Sequence, residues 1–227
     1  MLSRLHLSAI LLLAAALWGG MLVFDGVAVN GTWFRPFSTV VGVLLLLLVA
    51  FDLWAWRLRF LHGWFVPRPD LRGTWRIELQ SDWRNPATGT VVGAIVAYLV
   101  VRQTFSMLSV RLLTAESASE LVAAEINKAS DGTYRLAGVY RNEPKLSVRD
   151  HSPIHYGAIV LDVQGDPVNE LVGYYWTDRN SRGELRTLDR RNSVAASFKE
   201  AEELMRPVSA SSSTPAVAGT QSGEDRP

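Results

Sequence analysis

The chain reads as an all-β domain behind a membrane anchor: a two-helix transmembrane hairpin, then an antiparallel, eight-stranded up-and-down β-barrel. Three observations predict this. Two long apolar runs crowd into the first quarter of a 227-residue chain. From Leu71 onward apolar residues recur at every second position, the period of a half-buried strand, with turn formers between the runs. Cysteine is absent, which removes disulfides, thiolate metal sites and cysteine nucleophiles together. With 23 Lys plus Arg against 22 Asp plus Glu, neither a strongly basic nucleic-acid coat nor an acidic disordered chain fits.

The first run, Leu5 to Phe24, carries no charged side chain; at 1.5 Å per residue it matches a hydrocarbon core about 30 Å thick. The second, Phe37 to Phe51, contains five consecutive leucines and has no polar face to set against a core. Between them, Asp25-Gly26 and Asn30-Gly31 are turn formers. Arg4 precedes the first helix, and Arg57, Arg59, Arg68 and Arg72 follow the second. The positive-inside rule then places both chain ends, and the barrel, in the cytoplasm. Trp54, Trp56 and Trp64 are expected in an interfacial belt on that side, Trp18 and Trp33 on the other. A cleaved signal peptide is the competing reading of Arg4, the Leu-rich core and Ala14 to Ala16. The expected boundaries are 1–60 for the hairpin, 68–206 for the barrel and 207–227 for a Ser-, Ala-, Thr- and Gly-rich disordered tail.

Within the barrel, Trp75, Ile77 and Leu79 alternate with Arg76, Glu78 and Gln80. A turn at Asn85-Pro86 and Thr88-Gly89 leads to a strand over Thr90 to Val101. Gln103, Phe105 and Met107 open a third alternation running to Thr114. Leu121 to Asn127 is compatible with strand or helix. Asp131-Gly132 signals a hairpin, after which Tyr134 to Tyr140 alternate until Asn142-Glu143-Pro144 ends the ladder. Ile154 to Val163, Glu170 to Asp178 and Glu184 to Arg190 complete the set, and Ser197 to Met205 carries a helical pattern. Short hairpin connections favour closure into a calycin-like barrel, with Trp75 as a plug at the closed end; a sandwich is the alternative.

Several stretches resemble a known family: Leu71-x-Gly73-x-Trp75, Arg102-Gln103-Thr104-Phe105, Tyr140-Arg-Asn142-Glu143-Pro144, Ser152-Pro-Ile-His155-Tyr-Gly157, and Gly173-Tyr-Tyr-Trp-Thr177-Asp-Arg179 with Gly183 beyond. In this order, behind a two-helix hairpin, they resemble the CBASS effectors of bacterial antiphage defence, which join two transmembrane helices to a β-strand-rich barrel. The resemblance implies a barrel that senses a cyclic dinucleotide made by a partner CD-NTase. Binding would promote self-association, the clustered helices would disrupt the inner membrane, and the infected cell would die before phage matured.

A cyclic dinucleotide offers phosphates to donors and bases to flat groups. Tyr175, Thr177 and Arg179 share a strand face, and with it a ring, a hydroxyl and a guanidinium. Tyr140 and Asn142 share another. His155 offers a phosphate donor, against the alternative of a histidine bonded within the sheet. Arg102, with Thr104, is a candidate to reach the same mouth from another strand, against the favoured alternative of a solvated strand residue. No HExxH, Walker loop, GxGxxG or ordered Ser-His-Asp set is present, so the expectation is a binding module without catalytic residues, metal or cofactor. A membrane-tethered lipocalin-like carrier of a hydrophobic molecule is the second reading, and an interaction scaffold with a filled barrel the third.

Overall fold

The computed structural model describes residues 34–62, 65–84, 89–91 and 93–206, with 12, 15–16, 18–20, 22–24 and 26 before them. Trp33, Trp64, the Asn85-Pro86 turn and the tail after Arg206 lie outside the described residues. The chain divides into two compact units between Ala55 and Trp56.

In the first unit, the described residues between 12 and 24 are helical. Helix α1 spans Phe34–Leu53, 20 residues, with side chains described from Val41 onward. Val43, Leu44, Leu45, Leu46, Leu47 and Val49, five of them consecutive, are all exposed, so no single apolar stripe is turned inward. Among the described residues, no helix is long and apolar enough to cross a membrane.

The second unit holds eight strands: β1 Gly73–Ser81, β2 Ile95–Gln103, β3 Leu108–Leu113, β4 Ser117–Lys128, β5 Tyr134–Pro144, β6 His155–Gln164, β7 Glu170–Thr177 and β8 Arg182–Arg191. Each pairs antiparallel with the next, and β8 returns to β1, closing the barrel. Closure removes every free sheet edge. The register shifts between Arg76 and Ile77 on β1 and between Leu121 and Ala123 on β4, and such bulges add local twist and bend to a strand. The weakly patterned Leu121 to Asn127 segment belongs to the long strand β4.

The third expected alternation is corrected. Gln103 is the last residue of β2, and Thr104 to Met107 form the hairpin turn, with Thr104 N donating to Met107 O at 2.9 Å. The apparent period through Phe105 and Met107 spans a reversal of direction. Trp56 is also corrected: it is fully buried rather than interfacial, whereas Trp54 is exposed.

Inward positions at one end make a solid core of Leu71, Trp75, Leu136, Leu161 and Leu171, all fully buried. Trp75 donates its Nε1–H to Leu71 O at 2.9 Å. The Arg190 guanidinium covers its ring, 4.5 Å from the centroid, and donates to the carbonyls of Asp70, Arg72 and Val168. This is the closed end. On the outer wall, helix α2 (Phe198–Leu204) packs Phe198 edge-on against Tyr98. Ser197 Oγ accepts from Glu200 N and Glu200 Oε2 accepts from Ala196 N, so both termini of the capping pair satisfy backbone donors.

Candidate functional site

Toward the other end the barrel is hollow. A cavity of about 400 Å³ opens between the ends of β1, β3, β5 and β7 and the starts of β2, β4, β6 and β8. Its floor is apolar, formed by Leu79, Leu99, Leu121, Ile159 and Leu185. Its upper wall is polar because strands that alternate leucine and valine inward near the closed end switch to Tyr, Asn, His, Ser and Thr near the mouth.

Strand β5 supplies Tyr140 and Asn142, β6 supplies His155, and β7 supplies Tyr175 and Thr177, all lining the cavity. The β7–β8 turn adds Arg179 and Ser181. Thus six of the eight anticipated residues converge on one hollow. Two do not. Arg102 lies one position before the end of β2, exposed on its outer face. Thr104 lies in the turn beyond it. β2 runs from mouth to closed end, so both sit at the end opposite the cavity. The motif that contains them does other work there: Gln103 Oε1 accepts from Leu71 N and its Nε2–H donates to Pro69 O, tying the entering chain to the barrel.

Several lining residues escaped sequence reading: Trp83, Ser117, Ser119, His151, Ser152 and Ser181. Ser117 and Ser119 have the same two-residue spacing as Tyr140 and Asn142, a usable signal had β4 been extended toward its start. His151 and Ser152 sit in the β5–β6 connection, where no period marks the direction of a side chain.

Hydrogen bonds hold the wall in place. Asn142 Nδ2 donates to Ser117 Oγ (3.1 Å) and Ser119 Oγ (2.7 Å). Thr177 Oγ1 and Ser181 Oγ are 2.7 Å apart, and Arg179 N donates to Thr177 Oγ1 at 3.2 Å, fixing the turn that carries Arg179. Two inward glycines make room for the aromatic rings. A Cβ at Gly157 would collide with the Tyr140 ring and its hydroxyl, and one at Gly183 would lie 2.7 Å from the Tyr175 ring.

The electrostatics suit an anion. Arg179 Nη1 reaches Ser152 Oγ at 3.4 Å, while its Nε is buried without a partner. Among the described residues no carboxylate forms an ion pair with it: the adjacent Asp178 instead accepts from Tyr156 N at 3.1 Å. A buried donor left unsatisfied costs free energy that a ligand acceptor can restore. His155 Nδ1 lies 3.0 Å from Pro153 O. A carbonyl can only accept, so Nδ1 carries the proton and Nε2 is left for a ligand. Burial lowers the His155 pKa, as does the nearby Arg179 charge, against the opposing Pro153 bond. Burial raises the phenol of Tyr140 well above its ordinary range, and that of Tyr175 as well, against an opposing hydrogen bond from Ser81. Both are neutral rings with a hydroxyl to donate. Glu116 is the acidic side chain at the rim.

Fold and cavity together define a small-molecule-binding β-barrel, with a greasy floor, two tyrosines and an uncompensated arginine at the mouth. Comparison with known proteins narrows this. A family model described as "Cap15, cyclic dinucleotide receptor domain" matches residues 66–189, more than half of the chain and nearly all of the barrel. The CD-NTase-associated protein 15 of Staphylococcus schleiferi is 26% identical over 156 residues, covering 68% of this chain and 79% of that protein. The chain belongs to the Cap15 cyclic dinucleotide receptor family, and so to the CBASS effectors that its sequence resembles.

Proposed function

We propose that this protein is a membrane-anchored effector of antiphage defence whose barrel binds a cyclic dinucleotide made by a partner CD-NTase. The observation that carries the reading is the cavity, where Arg179, Ser152 and Ser181 supply donors for phosphate and His155 Nε2 an acceptor for a donor on the ligand, beside the Tyr140 and Tyr175 rings. Its volume of about 400 Å³ is within the usual range of small-ligand sites, roughly 300–1,000 Å³. Membership of the receptor family supports the same ligand class.

The anchor reading draws on the apolar run Leu5 to Phe24 and on α1, where Leu44, Leu45, Leu46, Leu47 and Leu53 are exposed. Such a helix is stable in lipid or inside a protein core, and unfavourable in water. The positive-inside rule applied to Arg57, Arg59, Arg68 and Arg72 supports a barrel on the cytoplasmic face of the bacterial inner membrane. Ligand binding drives self-association of the barrels, and the gathered helices disrupt the membrane, ending the infected cell. A ligand shifts this equilibrium only by its differential affinity for the assembled state. Moving from 1:99 to 99:1 takes about 5.5 kcal/mol, a demand that several barrels share.

The test is dye release from proteoliposomes carrying the full chain. One cyclic dinucleotide from a panel is expected to trigger release together with crosslinkable oligomers, and Arg179→Ala to abolish both. Intact vesicles with every nucleotide, in the presence of demonstrated binding, would refute the membrane step. The apolar floor gives the lipocalin-like carrier one supporting observation; native mass spectrometry of the purified chain with a co-purified lipid in the barrel would favour it.

A further inference from the structure

The closed end of the barrel, far from the cavity, has a surface of its own. Between Trp56 and β1 the chain folds back on itself. Phe65 N and Val66 N both donate to Leu61 O, at 3.2 and 2.9 Å, and His62 pairs with Val66 in a parallel bridge. Val66 and Leu71 are buried. The segment is bolted to the β2–β3 turn by Gln103, which bonds Leu71 and Pro69, and by Arg68 Nη1, which donates to Phe105 O at 2.7 Å. Segment and turn therefore form one face.

That face exposes large apolar side chains to solvent: Phe60 (70% exposed), Phe65 (54%) and Met107 (56%). Arg59 and Arg102 are exposed among them, with Arg57 and Arg68 half-buried. Asp70 is the one acidic residue between Trp56 and Arg72, and it is matched by Arg72 at 3.0 Å and Arg190 at 3.8 Å. In a chain of net charge +1, the positive charge is concentrated here. Phenylalanine interleaved with arginine suits the boundary of a bilayer, where rings enter the acyl region and guanidinium groups meet lipid phosphates. A second copy of the same face is disfavoured by like charge.

We propose that the closed end of the barrel docks on an anionic lipid surface through Phe60, Phe65, Met107, Arg59 and Arg102. The cavity mouth, at the other end, then points away from the bilayer and stays open to a soluble messenger. This rests on the reading of α1 as an anchor, since Trp56 follows Leu53 almost directly in the chain.

The absence of cysteine makes single-site labelling clean. Leu46→Cys in α1, Met107→Cys at the closed end and Asp150→Cys near the mouth are each introduced into the full chain and labelled with a nitroxide. The chain is reconstituted into phosphatidylcholine vesicles with and without phosphatidylglycerol. Collision with oxygen, which favours lipid, is measured against a water-soluble nickel chelate. Positions 46 and 107 are expected to shift toward oxygen and 150 toward the chelate. The shift at 107 should be larger with phosphatidylglycerol and lost in Arg59→Glu/Arg102→Glu, with 46 unchanged. Phe60→Cys supplies a second reporter should the Met107 variant fold poorly. A label at 107 as aqueous as that at 150, with 46 in lipid, overturns docking and leaves the anchor standing. Labels at 46 and 107 both aqueous overturn the anchor and docking together. A label at 107 shielded from both reagents identifies a protein contact and overturns the lipid assignment, as does equal immersion in neutral vesicles.

Discussion

Arg179 owes its role to what surrounds it. Its Nε is buried and unpartnered, its backbone is pinned to Thr177, and Asp178 is engaged elsewhere. A hydrogen bond to a charged group is worth about 1.5–3 kcal/mol. Arg179→Ala is therefore expected to weaken cyclic dinucleotide binding roughly tenfold to a hundredfold by calorimetry, with the thermal unfolding of the barrel little changed. Unaltered affinity would remove Arg179 from the site. His155 makes a different prediction. Burial favours its neutral ring and holds its pKa below the ordinary 6.5, so the unfolded chain takes up a proton that the folded barrel resists. This contribution to stability is complete above pH 6.5 and diminishes as pH falls below it. Urea unfolding at pH 7.5 and 5.5 should show the loss, and His155→Gln should flatten it; an unchanged slope would mean that the ring is not held neutral by the fold.

At the scale of the strand, period two carried the reading far, and its failures have physical causes. Alternation revealed which residues share a wall: Tyr140 with Asn142, and Tyr175 with Thr177. It is silent about which end of a barrel a strand has reached, and so does not separate Arg102 and Thr104 from a mouth they do not approach. It also passes through tight turns unbroken, which is why Gln103, Phe105 and Met107 read as one strand. Ser117 and Ser119 were hidden because small hydroxyl residues are poor strand markers. Position in the connections, as for His151 and Ser152, depends on three-dimensional closure and leaves no local signature. The two ends of the barrel also separate stability from binding. Arg190 bonds three carbonyls and covers Trp75 at the closed end. Arg190→Ala should cost about 2–4 kcal/mol of stability while leaving ligand affinity within twofold. A large loss of affinity in a folded Arg190→Ala barrel would show that the ends are coupled.

Across the whole molecule, an eight-stranded barrel leaves space for side chains or one small ligand, and this chain divides the space between them. Fully buried leucines and Trp75 fill one half; the other half is left open beneath a ring of hydroxyls, imidazole and guanidinium. The central claim is that the open half receives a cyclic dinucleotide. Calorimetric titration of the 227-residue chain in detergent with a panel of cyclic di- and trinucleotides tests it most directly. The account predicts saturable binding of a cyclic dinucleotide at one site per barrel, weakened by Arg179→Ala; no heat from any member of the panel, with the barrel shown to be folded, would contradict it.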